Sequence, residues 1–140
     1  MSLLVVGSVA YDSVRTPVGA RENSLGGSAT YFSVSGSYFT DVSLVAVVGD
    51  DFSQENEKLL DLHRVDVTGL ERKIGSTFRW SGVYGTEEVK TRQTLETHLN
   101  VFADFVPELK EEHRNIPFLF LANIDPQLQL SVLDQMEGRP

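Results

Sequence analysis

The sequence predicts an α/β fold built on a parallel sheet, and three observations carry that prediction. Three short apolar runs, Leu3 to Val6, Ser43 to Val48 and Phe118 to Ala122, are continuous rather than alternating, as strands buried on both faces are. The first two each lead into a helix-forming stretch, and such alternation favours right-handed crossovers with ligands bound beyond the carboxyl ends of the strands. From Lys73 to Thr94 the period changes to two, the mark of strands covered on one face only.

The opening strand ends at Gly7-Ser8. After a polar stretch holding Pro17, Gly19, Arg21, Glu22 and Asn23, the pair Gly26-Gly27 leads a segment rich in small residues, Ser28 to Phe39. It reads as a helix packed closely on the sheet, although its serines and threonines are weak helix formers. The second strand closes at Gly49-Asp50-Asp51, and Asp51 or Ser53 caps the next helix. Phe52, Leu59 and Leu62 share that helix's inner face, with Glu55, Glu57 and Lys58 in water. In the period-two region Phe78, Trp80, Gly82 and Tyr84 alternate with Thr77, Arg79, Ser81 and Val83. A turn at Tyr84-Gly85-Thr86 leads to a second strand through Val89, Thr91 and Gln93, which makes an antiparallel ribbon projecting from the α/β body. The ribbon concentrates Arg72, Lys73, Arg79, Lys90 and Arg92 against Glu71, Glu87 and Glu88, a pattern that ordinarily protects an exposed sheet edge. Pro107 to Glu112 reads as a short exposed helix. After the third apolar run, Asp125 as N-cap and Pro126 at the first helical position start a helix with Leu128, Leu130, Val132, Leu133 and Met136 as its apolar residues.

Composition narrows the function. Of 140 residues, 41% are hydrophobic and 23% charged, as in one soluble globular domain. Aspartate and glutamate (20) outnumber lysine and arginine (12), and the net charge of −8 disfavours nucleic acid and anionic membranes as partners. The absence of cysteine excludes disulfides and thiolate zinc sites and fits a cytoplasmic setting. No apolar run approaches the roughly 20 residues of a membrane span, and the opening run lacks the basic flank of a signal peptide. His63, His98 and His113 have no metal-site spacing and read as surface or locally satisfied residues. The pairs Asp50-Asp51, Glu87-Glu88 and Glu111-Glu112 are adjacent in sequence and point different ways, and no Walker loop or Gly-x-Gly-x-x-Gly occurs. No metal site is therefore expected.

Several segments, in order, resemble the ribokinase-like sugar kinases, the PfkB carbohydrate kinase family. They are Gly7-Ser8-Val9-Ala10-Tyr11-Asp12, the Gly26-Gly27 pair before its helix, Val48-Gly49-Asp50-Asp51-Phe52, Val65-Asp66-Val67, the ribbon after it, and the strand ending at Asn123-Ile124-Asp125. The resemblance covers the whole chain and implies a ribokinase-like three-layer α/β sandwich, incomplete, with a projecting β-ribbon lid. Residues 1–140 then form the N-terminal part of a kinase domain, with lid segments near 12–24 and 73–98. Members of the family are about twice as long. Their C-terminal half carries a Gly-Ala-Gly-Asp segment whose backbone cradles the phosphates and whose aspartate acts as base. That segment does not occur here, so the resemblance implies no catalytic residue and no complete nucleotide site in this chain.

The resemblance also assigns roles. Asp12 holds acceptor hydroxyls, where the residues alone equally allow a turn aspartate satisfying backbone amides. Gly26 and Gly27 lie against the substrate and hinge the lid, where a plain turn before a helix is the alternative. At Tyr31 the family often has a sugar-binding asparagine; an aromatic ring there offers a stacking face and admits a nucleoside. Asn123 is a ligand candidate at the third strand's end, and Phe78, Arg79, Trp80 and Tyr84 belong to the lid. The implied activity is phosphorylation of a sugar or nucleoside hydroxyl by ATP with Mg2+, in a cytoplasmic homodimer paired through the ribbon. A non-catalytic partial domain that binds a polyol or self-associates is the alternative.

Overall fold

The computed structural model describes residues 1–85 and 91–138. The chain runs β1 (Ser2–Val6), β2 (Ala10–Thr16), β3 (Gly19–Gly26), α1 (Ser28–Gly36), β4 (Asp41–Gly49), α2 (Gln54–Leu62), β5 (Val65–Lys73), β6 (Phe78–Tyr84), β7 (Arg92–His98), a 3-10 turn (Asn100–Asp104), α3 (Glu111–Arg114), β8 (Phe118–Leu121) and α4 (Pro126–Gln135). Two four-stranded sheets result. The first has the order β5-β4-β1-β8 with every pairing parallel, and the second β3-β2-β6-β7.

The first sheet is the middle of three layers because its central strands, β1 and β4, bury both faces. Val5, Leu44, Ala46 and Val48 point toward α1 and α2, where Ala29, Phe52 and Leu60 meet them. Leu4, Val6, Val45 and Val47 point the other way, onto Phe105, Leu109 and Val132 of α4. The apolar runs are continuous for this reason: a period of two places neighbours in different cores, each worth about 1.5–3 kcal/mol per fully buried aliphatic side chain. The polar composition of α1 suits its packing, since Thr30 and Ser33 are themselves buried against the sheet. Asp125 caps α4 by accepting from the Gln127 amide at 2.8 Å, with Pro126 at the first turn.

The chain leaves β1 toward β4 and β5 on one side, and β8 adds on the other. The order therefore reverses between β1 and β8, and a crevice opens there at the carboxyl ends of the strands.

The second sheet is larger than a ribbon. β6 and β7 are antiparallel, but β6 also pairs in parallel with β2, and β2 forms a hairpin with β3. The polar stretch before Gly26 is thus two strands. Most of β3 is exposed, and it has no apolar face for a sequence pattern to show. Thr86, Glu87, Glu88, Val89 and Lys90 of the expected turn and second strand lie outside the described residues.

Four local expectations are corrected. Arg72 and Lys73 end β5 in the parallel sheet rather than opening the ribbon. Leu60 is the buried residue of α2, whereas Leu62 is 82% exposed and Leu59 39%; of the two cap candidates it is Ser53 that caps this helix, accepting from the Asn56 amide at 3.2 Å. β8 is an edge strand with Phe118 half exposed, not a fully buried one. The segment around 107–114 is partly core: Leu109 and His113 are buried, and Gln135 holds the segment from α4 through the Leu109 amide and the Pro107 carbonyl. His113 directs Nε2 at the Thr68 hydroxyl, 3.3 Å away, and its buried Nδ1 has no partner among the described residues. Among those residues no helix is long and apolar enough to cross a membrane.

Candidate functional site

The crevice between β1 and β8 is closed by a lattice of short side chains. The Ser28 amide donates to Ser8 Oγ at 3.2 Å, the two hydroxyls lie 3.1 Å apart, and the Asn123 amide donates to Ser28 Oγ at 3.0 Å. Three chain segments, ending β1, starting α1 and ending β8, are thereby fixed at one point. Gly27 makes the approach possible. Its φ of +96° suits glycine, and a Cβ there would collide with the Ser8 carbonyl.

The second sheet stands over this point. In register, Asp12 on β2 is opposite Ser24 on β3 and Trp80 on β6, and Trp80 is flanked by Phe78 and Tyr84 on the same face. That face and the crevice line an open cavity of about 360 Å3. Asp12, Gly27, Tyr31, Asn123, Phe78, Trp80 and Tyr84 all line it, as do Ser8 and Arg92. An outer cleft toward β3 shares Asp12, Tyr31, Trp80 and Tyr84 and adds Asn23 and Asn56. Phe78 stacks on Phe102 with centroids 5.1 Å apart, which fixes the cavity's inner wall. The Trp80 indole donates to Thr94 Oγ1 at 3.3 Å. The aromatic stripe therefore faces a cavity.

Two expected site residues lie elsewhere. Gly26 is behind the Asp12 carboxylate and outside the cavity, and a Cβ there would strike that carboxylate. Arg79 is on the opposite face of β6, its guanidinium over the Tyr11 ring at 4.9 Å. It is paired with Asp51 at 2.7 Å and bonded to Asn23.

Burial pushes the Asp12 carboxyl above its ordinary value of 3.8, partly offset by the Gly27 amide. Asp12 has no charged partner among the described residues, and a carboxylate left so in a half-dry site is costly, so it favours a ligand that brings donors. It can accept from two hydroxyls at once.

Sequence reasoning missed the residues that hold the second sheet in place. Thr77 is fully buried; its amide and hydroxyl donate to Asp51 Oδ1 at 2.8 and 2.6 Å, and its hydroxyl accepts from the Gly49 amide at 2.9 Å. Burial alone would raise the Asp51 carboxyl, but these bonds and the Arg79 pair outweigh it and hold the group below 3.8. From the other side Arg72 donates to the Phe52 carbonyl at 3.0 Å and pairs with Glu57, and the Tyr11 hydroxyl accepts from the Ser53 amide at 3.1 Å. The signal available in the sequence was the polar group Gly49-Asp50-Asp51 after a buried strand. It identifies no partner, because Thr77 lies more than twenty residues away.

Among the described residues no group of three or more histidines or carboxylates could hold a metal. The cavity supplies one carboxylate, Asp12, which does not fit magnesium-bound phosphates.

No protein-family model matches the chain. The chain is 26% identical over 140 residues to a cytidine kinase of Thermococcus kodakarensis, covering 99% of this chain and 49% of that protein. The chain thus spans about half the length of the curated relative it matches. Among solved structures it resembles a nucleoside kinase of Methanocaldococcus jannaschii, an archaeal member of the ribokinase family, with a TM-score of 0.74 at 17% identity over 99% of this chain and 50% of that one. A ribokinase of Cryptococcus neoformans var. grubii serotype A, solved in complex with ADP, gives 0.67 at 19% identity over 96% and 44%. The fold is ribokinase-like, and the chain resembles the N-terminal portion of kinases of that family.

Proposed function

We propose that the cavity holds the alcohol acceptor of a ribokinase-like phosphotransferase, and that the acceptor is a nucleoside rather than a free sugar. The observation that supports this reading most is the pairing of Asp12 with Trp80 across β2 and β6. It sets a desolvated carboxylate, suited to vicinal hydroxyls, beside an indole face suited to a base. The similarity to a cytidine kinase and the fold shared with a nucleoside kinase point the same way.

In this reading Asp12 binds and orients the sugar, the Gly27 amide steadies the carboxylate, and Asn123 contributes an amide at the strand end. Tyr31 walls the cavity from α1, and Gly26 lets β3 pass close behind Asp12. The second sheet, formed by residues 10–26 and 78–98, acts as the lid that excludes water, with Phe78, Trp80 and Tyr84 as its inner surface. Arg79 anchors that lid through Asp51. ATP with Mg2+ supplies the phosphoryl group. The described residues do not hold the phosphates or the metal, so no transfer step is assigned to them. The protein works in the cytoplasm, and two copies pair through the second sheet, whose outer strand β7 is exposed along its whole length.

Calorimetric titration of the chain with cytidine and with ribose tests the reading. Cytidine should bind, ribose should bind at least tenfold more weakly, and Asp12→Ala should reduce cytidine affinity about tenfold or more, as for loss of hydrogen bonds to a charged group. Equal affinities for cytidine and ribose, or an unaffected Asp12→Ala variant, would overturn it. A coupled ADP-release assay of the chain as given should show no acceptor-dependent turnover.

A further inference from the structure

Among the described residues, the cavity contains a cation that the reading above leaves without a role. Arg92 begins β7, directly opposite Tyr84 on β6. Its side chain lines the cavity, with its guanidinium over the Trp80 ring at 5.6 Å. Among the described residues it has no carboxylate within ion-pair distance. An arginine at the start of an exposed edge strand ordinarily extends into water. This one lies on the aromatic wall that also carries Asp12.

We propose that Arg92 determines which nucleoside the site accepts, by donating two parallel hydrogen bonds to a base that presents two adjacent acceptors. The spacing supports this. Trp80 and Tyr84 are four residues apart on one strand, about 13 Å, and Asp12 lies level with Trp80 on the strand beside it. A nucleoside with its sugar at Asp12 and its base along Trp80 brings the base edge to the guanidinium. Guanidinium only donates, and its fork matches two neighbouring acceptors. Cytosine presents O2 beside N3, and hypoxanthine presents O6 beside N7. Uracil places an N–H between its carbonyl oxygens, and adenine places its amino group between N1 and N7, with N3 isolated beside the glycosidic bond, so neither presents two adjacent acceptors. The site therefore favours cytidine and inosine over uridine and adenosine.

This inference rests on the nucleoside reading. Trp80 is the chain's single tryptophan, so its emission reports the cavity directly. Fluorescence titrations of the unmodified chain with the four nucleosides should give dissociation constants about tenfold lower for cytidine and inosine than for uridine and adenosine. In Arg92→Ala the four constants converge; in Arg92→Lys, which keeps the charge and loses the fork, the preference also falls away. Arg92 is exposed, so both variants keep the fold, which circular dichroism checks. An unchanged ranking in Arg92→Ala overturns the role of Arg92 while leaving the nucleoside reading intact. Failure of the unmodified chain to bind any nucleoside overturns both. An Arg92-dependent gain for cytidine monophosphate with no ranking among bases overturns the proposal and makes Arg92 a phosphate contact.

Discussion

Replacing Thr77 with valine separates the bonds that hold the second sheet from the packing around them. Valine keeps the shape of the buried side chain, so no cavity forms, and the loss is confined to the hydroxyl. That hydroxyl accepts from the Gly49 amide at 2.9 Å and donates to Asp51 at 2.6 Å. A bond to a charged group is worth about 1.5–3 kcal/mol, and a buried amide left unsatisfied costs about 1–3 kcal/mol. Asp51 is partly exposed and regains water, and the Thr77 amide bond to it survives, so the first contribution falls at the low end. The sum is about 3 kcal/mol, a large share of the 5–15 kcal/mol typical of a domain. Urea unfolding monitored by Trp80 emission should show the midpoint fall with the slope unchanged, and the melting temperature should drop by about 10 °C. The cycle with Asp51→Asn should give a coupling of about 1 kcal/mol or more. A loss below about 0.5 kcal/mol, or strict additivity, would refute the argument that this cluster fastens β6 to β4.

Asp12→Asn should raise stability at neutral pH while weakening cytidine binding. The folded-state pKa is raised, so the ionised carboxyl costs stability once pH rises through that value and costs nothing below 3.8; melts at pH 7 and pH 3.5 should show the gain only at pH 7. Gly27→Ala must place a Cβ against the Ser8 carbonyl at φ +96° and should cost about 3 kcal/mol, seen as a lowered urea midpoint; a neutral variant would contradict the described backbone. Leu60→Ala should cost about 2–5 kcal/mol and Leu62→Ala less than about 0.5 kcal/mol in the same assay, with the reverse ranking placing the other face of α2 inside. The contribution of the Asp51 cluster should be present above pH 3.8 and disappear as pH falls through the group's lowered value, so the stability gap between Thr77→Val and the unmodified chain should narrow under strongly acidic conditions to the part left by the unsatisfied Gly49 amide.

The parallel sheet was legible where both faces of a strand are buried, because β1 and β4 then read as unbroken apolar runs. β5 was not, since Asp66, Thr68, Glu71 and Arg72 make an edge strand look like a loop; Asp66 in fact accepts from Thr68 and Ser43. β3 failed for a related reason: Arg21, Glu22 and Asn23 face solvent, and its pairing with β2 rests on backbone bonds that leave no apolar trace. The face of α2 was misread because a helix of nine residues allows several stripes, and contact with the sheet selected Leu60. Around the cavity, alternation alone placed Phe78, Trp80 and Tyr84 on one face. It could not say what that face covers, which depends on the parallel pairing of β6 with β2, nor could it separate Arg79 from Arg92, which lie on opposite sides of the sheet.

The central claim, that Asp12 and Trp80 together hold a nucleoside, is met most directly by a crystal structure of the chain with cytidine. The account predicts ribose hydroxyls within hydrogen-bond distance of the Asp12 carboxylate and the base against the Trp80 ring. Cytidine bound away from this cavity, or bound within it with its sugar turned away from Asp12, would contradict the account.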